Sequence, residues 1–301
     1  MSTETKPPSD LRTGLSVPGR KPATKPAQYF EFAKMGPSAM SDAGSATWWV
    51  RSQSMVIAYT EGVAGDTFSR SGQGDEYAAL TWSDDADATF AAGTQLERAT
   101  GKSFVAMPPG DSSITLNTDG VLIRLFTTQS DDLNALCTNH AFFDEPDPFV
   151  APFAAWPSPV GGYKVRVYRL DDYGPDPKRM GRLFRTTTFM VNAFYDFDKP
   201  RPENKMSPHH HDDFEQVSMT LAGDFMHHIR HPWTTDMAEW MDDDHRLCTS
   251  PSVTVIPPPT IHGSQWFSDH NQLLDIFSPP RFDFSSKDGW VLNADDYPMP
   301  S

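Results

Sequence analysis

The chain has 301 residues, of which 12% are aromatic, and this is enough core material to exclude disorder of the whole chain. The formal net charge of −15 argues against nucleic acid or an anionic membrane surface as a partner. The two cysteines form no disulfide framework, and the sequence shows neither an apolar signal core nor a window able to span a bilayer. We therefore expect a cytoplasmic protein with no nucleic-acid and no membrane partner.

The first half of the chain predicts a tail followed by a β domain. Residues 1–27 are rich in Pro, Lys, Ser and Thr without a periodic apolar pattern, and they are interpreted as an N-terminal tail. Residues 28–144 are assigned to an N-terminal β domain, because short apolar runs alternate there with turns rich in Gly, Ser and Asp. The runs are 56–59, 78–82, 103–107 and 121–126.

The second half predicts another β domain behind a linker. Residues 145–162 are rich in Pro and are assigned as the linker, and residues 163–301 as the C-terminal domain. Two stretches at its start, 163–170 and 184–195, are β-branched and aromatic with partial alternation, which is typical of strands.

The most informative stretch runs from Met206 to Asp224. Side chains alternate between the faces of a strand, so His209 and His211 point the same way, and a bulge can bring Glu215 onto that face. Apolar and polar residues alternate from there to a turn at Gly223, which indicates a half-buried strand and a hairpin.

These residues, with His262 further on, resemble the motifs of the cupin superfamily. The first cupin motif has His-x-His, three or four residues, Glu, about six residues and Gly. The match is His209, His211, Glu215 and Gly223, although the run between the last two is one residue longer. In the second motif His262 follows a Pro-rich turn, in which Pro259 stands where the family has Gly.

The resemblance implies an all-β fold of two cupin barrels, each a double-stranded β-helix or jelly roll, with a short helical insertion. The stretch around Glu76 echoes the one around Glu215, and 107–116 resembles 256–265, which together indicate an internal repeat. In this alignment Arg70 and Gly72 fall at the first two histidines, and Ser113 falls at His262. No histidine occurs before position 140, so we expect a metal site only in the C-terminal barrel.

The expected cofactor is a divalent transition metal held by His209, His211, Glu215 and His262. Imidazole and carboxylate ligands suit Fe, Mn, Ni or Zn better than Mg or Ca. Iron is favoured by family analogy, with zinc, manganese and nickel as alternatives. No organic cofactor is assigned, since the sequence lacks a Gly-rich loop for phosphate.

Catalytic side chains are sought on the strand that returns after Gly223. On a strand at 225–230, His228 and Arg230 share one face and His227 lies on the other. His228 and Arg230 are assigned as the catalytic pair, acting as acid or base and as anion anchor, with His227 as the alternative. An acidic helix is expected over 234–244, as a lid or a subunit contact.

The favoured function is a metal-dependent enzyme acting on a small carboxylate- or hydroxyl-bearing molecule. A dioxygenase is preferred on family analogy, and an isomerase or lyase acting on sugar acids or keto acids is the first alternative. A non-catalytic ligand-binding or storage protein is the second alternative. A homodimer is expected because cupins commonly pair.

Overall fold

The computed structural model describes residues 23–300, so most of the predicted tail, residues 1–27, lies outside the described residues. The first half of this range holds eleven strands and one short helix. In chain order they are β1 (Gln28–Glu31), β2 (Ala39–Met40), β3 (Ala46–Arg51), β4 (Met55–Gly62), β5 (Thr67–Gln73), β6 (Tyr77–Thr81), β7 (Asp87–Ala92), β8 (Gln95–Thr100), β9 (Ser103–Met107), β10 (Gly110–Leu116), β11 (Gly120–Thr127) and α1 (Asp131–Asn134).

The second half adds nine strands and a second short helix. They are β12 (Arg166–Arg169), β13 (Gly181–Arg185), β14 (Met190–Phe194), β15 (Gln216–Ala222), β16 (Asp224–Arg230), β17 (Asp244–Thr249), β18 (Ser252–Ile256), β19 (Ile261–Trp266), β20 (Gln272–Phe277) and α2 (Phe282–Ser285). Single 3-10 turns lie at Phe32–Lys34, His140–Phe143, Leu170–Asp172, Glu203–Lys205 and Met237–Glu239. In the described range, no helix has the length and apolar character needed to cross a membrane.

The strands form two antiparallel β-sandwich barrels. The N-terminal barrel pairs a seven-stranded sheet, β12-β9-β6-β11-β4-β3-β2, with a four-stranded sheet, β5-β10-β7-β8. The C-terminal barrel pairs a six-stranded sheet, β1-β18-β15-β20-β14-β13, with a three-stranded sheet, β17-β16-β19. Each barrel thus closes a larger sheet over a smaller one, in agreement with the predicted jelly-roll class.

The two barrels exchange edge strands. β1, at the start of the predicted N-terminal domain, pairs with β18 of the C-terminal barrel. β12, at the start of the predicted C-terminal domain, pairs with β9 of the N-terminal barrel. The exchange covers one edge of each large sheet with the other half of the chain, which protects edges that would otherwise be open to aggregation. The domain boundaries at residues 28 and 163 remain a prediction.

The large sheets pack against each other through a shared apolar core. On β15, Val217 and Met219 point into this core, where they join side chains such as Ile57 and Leu125 of the N-terminal barrel. Strand alternation therefore turns Gln216 and Ser218, which are also buried, into the C-terminal barrel. The face of β15 that reads as hydrophobic in the sequence is the face between the barrels.

The interior of the N-terminal barrel is filled by its own side chains. A second apolar cluster joins both of its sheets, with Trp49, Tyr77, Phe90 and Phe126 among its members. The rings of Tyr77 and Phe126 stack with centroids 4.7 Å apart. The C-terminal barrel has a much smaller cluster, formed by Leu183, Met190, Phe277 and Val291. Space for a ligand is therefore found in the C-terminal barrel.

The hairpin after β15 explains the glycine of the first motif. Gly223 has φ +86°, and a Cβ there would lie 2.3 Å from Asn271 Oδ1 and 2.8 Å from the carbonyl oxygen of His270. Only glycine fits this turn without displacing its neighbours.

Two predicted elements are shorter in the structure. The stretch 184–195 is divided into β13 and β14 by a turn at 186–189. The insertion at 234–244 is helical only over the 3-10 turn Met237–Glu239, where Asp236 accepts a hydrogen bond from the N–H of Ala238. Its last residue, Asp244, already belongs to β17.

Candidate metal centre

Three histidines of the C-terminal barrel come together at one point. His209 lies beside β19, where its N–H donates to the carbonyl of His262 at 3.1 Å and its carbonyl accepts from the N–H of His262 at 2.8 Å. His211 lies two residues further along, and the ligand nitrogens of all three lie within 4.8 Å of one another. The group could hold a metal ion. His209 is exposed, whereas His211 and His262 are buried.

Backbone carbonyls fix the tautomers of two of these rings. Nδ1 of His209 lies 3.0 Å from the carbonyl oxygen of Ser207, and Nδ1 of His262 lies 3.1 Å from that of Thr260. A carbonyl oxygen can only accept, so each Nδ1 carries the proton and each Nε2 keeps its lone pair. The Nε2 of His262 is buried with no hydrogen-bond partner among the described residues.

The third ring, His211, is in contact with an amide and a guanidinium. Its Nε2 lies 3.0 Å from Gln216 Oε1 and 3.2 Å from Arg281 Nη1. The Nε2 of Gln216 donates to Ser218 Oγ at 3.0 Å, and this bond turns the amide oxygen toward the histidines. Ser218 Oγ in turn donates to Asp275 Oδ1 at 2.7 Å.

Burial keeps the enclosed histidines neutral. It lowers the pKa of His211 to about 2, with a further contribution from the positive charge of Arg281. Burial also lowers the pKa of His262 to about 3, and neighbouring His209 adds to the effect. Neutral imidazole is the form that binds metal ions, so these rings are in their ligand form at physiological pH.

The structure does not bring Glu215 to the three histidines. Its carboxylate accepts hydrogen bonds from the backbone N–H of Gln53, at 3.0 and 2.8 Å, and of Ser54, at 3.2 Å. Glu215 points the same way as Val217, as the sequence predicts, but that direction leads to the other barrel. Burial raises the pKa of this carboxyl to about 7, against the opposing effect of the N–H donors.

The repeat in the sequence explains why a glutamate stands there. Glu76, which precedes β6 as Glu215 precedes β15, makes the reciprocal contact across the barrels. It accepts from the N–H and Oγ1 of Thr187, at 2.8 and 2.9 Å, and from the hydroxyl of Tyr297 at 2.8 Å. Glu76 belongs to the barrel without the histidine cluster, so the role that the pair shares is to join the two barrels.

Gln216, which the sequence interpretation did not single out, is a side chain in contact with the histidines. A signal was present: counted from Gln216, four residues separate it from His211 and six from Gly223, which matches the cupin spacing without the extra residue. The extra residue between Glu215 and Gly223 was therefore a sign that the motif is matched better one residue later, at Gln216. A similar shift applies to the repeat, because β-pairing sets Ser112, not Ser113, opposite Arg70, as His262 is opposite His209.

The predicted catalytic pair lies on the outer face of the small sheet. His228 Nδ1 is 2.7 Å from His245 Nδ1 on the neighbouring strand, and Arg230 bonds to Asp243 with a side chain that is 67% exposed. Residues of β16 alternate in burial, and it is His227 that points inward, with Nδ1 3.0 Å from Ser264 Oγ. His228 and Arg230 do not line the barrel interior but border an open cleft that also touches His262, and their catalytic role remains a prediction.

A cavity of about 240 Å³ opens beside the histidines. Its polar side includes His209, His262, Gln216, Asp275 and Arg281. Its apolar side is made largely of aromatic rings, with these members: Met180, Phe194, Phe197, Trp266, Leu273, Phe277 and Phe284.

Two groups in the cavity wall, Arg281 and Asp275, are charged side chains in buried surroundings. Arg281 is 8% exposed, lies over the rings of Phe214 and Phe277 at 4.2 and 4.8 Å, and donates from Nε to Asp283 Oδ1 at 2.8 Å. Asp275 faces the cavity from β20, and burial raises its pKa to about 6. The wall therefore holds a fixed cation and a carboxyl that can carry a proton near neutral pH.

Comparison with known proteins finds likeness at the level of structure. No family model matches the sequence, and no curated protein matches it. The oxalate decarboxylase of Lactobacillus farciminis, in a formate complex, is 12% identical with a TM-score of 0.56, covering 88% of each chain. An oxalate decarboxylase mutant from Bacillus subtilis is 12% identical with a TM-score of 0.53, covering 91% of this chain and 84% of that one. AerE from Microcystis aeruginosa is 8% identical with a TM-score of 0.53, covering 78% and 93%.

Proposed function

We propose that this chain, which has the fold of the two-cupin proteins, is a metal-dependent enzyme acting on a small carboxylate-bearing molecule. The proposed ligands are His209, His211 and His262. The observation that carries the proposal is the buried Nε2 of His262, whose lone pair has no hydrogen-bond partner among the described residues. An unsatisfied buried acceptor is costly, and a bound cation would remove that cost.

Gln216 is proposed as the fourth ligand, in the role that the sequence interpretation gave to Glu215. Its amide oxygen already lies 3.0 Å from His211 Nε2. Three neutral imidazoles and an amide leave the full charge of a divalent ion in place, whereas a carboxylate ligand would neutralise part of it. This ligand set therefore favours binding of an anionic substrate.

Arg281 is the proposed anchor for the substrate carboxylate. Its Nε and Nη2 bond to Asp283, and Nη1 is directed toward His211 at 3.2 Å. A guanidinium held this way loses little conformational freedom when it binds an anion. A metal ion bound beside it would act as a Lewis acid on a substrate oxygen.

Asp275 is the proposed proton carrier. Its pKa of about 6 lets it give or take a proton near neutral pH, and Ser218 holds its Oδ1 by donating a hydrogen bond. The aromatic side of the cavity limits water around the reacting atoms. We therefore place proton-transfer chemistry, an isomerase or lyase reaction on a keto acid or sugar acid, first.

Oxygen chemistry is the second candidate. Imidazole ligands suit iron as well as zinc or nickel, and an aromatic-lined cavity would admit dioxygen. The dioxygenase and iron preferences from the sequence therefore stay as alternatives to the lyase or isomerase. The homodimer remains an expectation from the class.

Elemental analysis of protein purified without a His tag tests the proposal. We expect close to one divalent transition metal per chain, and turnover of a keto acid or sugar acid that continues under anaerobic conditions. Turnover only with oxygen consumption would favour the dioxygenase, and metal without turnover would favour a storage protein. Failure to bind any metal after reconstitution would contradict the proposal.

The Gln216→Glu substitution tests the fourth ligand. A carboxylate should bind the ion about tenfold more tightly or better, and should weaken the binding of oxalate as an anionic probe by a similar factor. Chelator competition measures the first effect and calorimetry the second. Gln73→Glu, in the other barrel, controls for the added negative charge. Unchanged metal affinity in Gln216→Glu would show that this side chain is not a ligand.

A further inference from the structure

The apolar side of the cavity is a wall that contains a stacked pair of aromatic rings. Phe197 and Trp266 stack with ring centroids 3.8 Å apart and an interplanar angle of 12°, and Phe194 lies 5.8 Å from Phe197. Phe197 and Trp266 border the cavity whose other side holds His209, His262, Gln216 and Arg281. An arrangement of this kind offers apolar surface to an apolar group of about the size of a ring.

A second arginine in the lining supports this wall and is held by hydrogen bonds to the chain. Arg201 lies over Trp266, 4.9 Å from the ring centroid. Its Nη1 donates to the carbonyl of Ser264 at 2.8 Å, its Nε to that of Lys205 at 3.0 Å, and its Nη2 to Ser207 Oγ at 2.9 Å. The guanidinium is committed to the chain on every nitrogen, so it fixes the indole ring in place.

The cavity therefore offers one anionic position and one apolar position. Among its lining residues the only other arginine is Arg281, whose Nη1 faces the histidines. A molecule with a carboxylate at both ends would leave one of them against aromatic rings, where burial of an unpaired charge is unfavourable. A very small acid such as oxalate would leave the wall uncovered.

We infer that the substrate is a monocarboxylate with an apolar, ring-sized body, its carboxylate beside Arg281 and its body against the wall of Phe197 and Trp266. The inference rests on the proposed function for the position of the carboxylate. The apolar body of the substrate is inferred from Phe197 and Trp266 alone and does not depend on the metal. At about 240 Å³, the cavity is close in size to the smaller pockets that bind organic ligands, of about 300 Å³.

Calorimetric titration of the metal-reconstituted protein tests this inference, with phenylglyoxylate, pyruvate and oxalate as probes. The first two share the same 2-oxo acid head and differ in the body. We expect phenylglyoxylate to bind at least about 30-fold more tightly than pyruvate, because only its ring covers apolar wall. Binding of pyruvate or oxalate as tight as that of phenylglyoxylate would overturn the inference.

Variants of the wall provide the second arm of the test. Trp266→Leu and Phe197→Leu should each reduce the preference for phenylglyoxylate over pyruvate about tenfold or more, with little change for pyruvate. Trp240→Leu, at an exposed tryptophan outside this cavity, is the matched control. Thermal melting checks that each variant folds. A preference that survives in both wall variants would overturn the inference.

The same titration without metal separates the two proposals. If the protein binds no metal yet still prefers phenylglyoxylate, the proposed function fails and the assignment of the wall stands. If metal binds and the preference is absent, the proposed function stands and the substrate class is wrong.

Discussion

His262→Ala is expected to abolish tight metal binding, lowering the affinity for a divalent ion at least about 100-fold, while the fold is retained. The substitution removes one of three ligand nitrogens, and that nitrogen is buried without a hydrogen-bond partner among the described residues. Among the described residues, the one hydrogen bond that the ring loses is that from Nδ1 to the Thr260 carbonyl. Chelator competition measures the affinity, and thermal melting of the metal-free protein measures the fold.

Glu215→Gln provides the decisive comparison for this experiment. The carboxylate of Glu215 bonds to Gln53 and Ser54 in the other barrel, so the variant should keep its metal affinity within about threefold of the parent. His228→Ala, on the outer face of β16, should also retain the metal. If Glu215→Gln loses the metal as His262→Ala does, then Glu215 is a ligand after all and the proposed set of ligands is wrong.

The sequence was sufficient to predict the fold and to single out the three histidines. Because side chains alternate along a strand, His209 and His211 share one face whichever sheet the strand joins. The Pro-rich turn before His262 marks this residue as the start of another strand. These are local properties of the chain. The absence of early histidines also predicted correctly which barrel would hold the histidine cluster.

What the sequence could not decide was which face of a strand meets which neighbour. On β15, both faces are buried, one in the C-terminal barrel and the other against the N-terminal barrel. Alternation alone cannot distinguish Glu215 from Gln216 in that situation, because a shift of one residue exchanges the faces. The same ambiguity applies on β16, where His227 points inward and His228 lies on the other face. The exchange of β1 and β12 depends on contacts between distant parts of the chain, which no local pattern encodes.

Glu215→Ala and Glu76→Ala are each expected to lower the free energy of unfolding by about 3–5 kcal/mol. Each substitution leaves buried backbone N–H groups of the opposite barrel without an acceptor, at Gln53 and Ser54 in one case and at Thr187 in the other. Urea denaturation of the metal-free protein measures the loss. Glu97→Ala, at an exposed glutamate of β8, should change the stability by no more than about 0.5 kcal/mol.

The pH dependence of stability distinguishes a titrating carboxyl at Glu215 from a simple packing contact. Burial raises the pKa of Glu215 from 4.5 to about 7, so between these values the folded protein binds more protons than the unfolded chain. The contribution of this group to stability is then largest below about pH 4.5 and is lost as the pH rises toward 7. Glu215→Gln, which cannot titrate, should therefore show a smaller loss of stability than the parent over that interval. If the free energies of unfolding of the parent and the variant change in parallel with pH, the carboxyl does not titrate at this contact. If they agree at low pH and differ near pH 7, Glu215 is the titrating group.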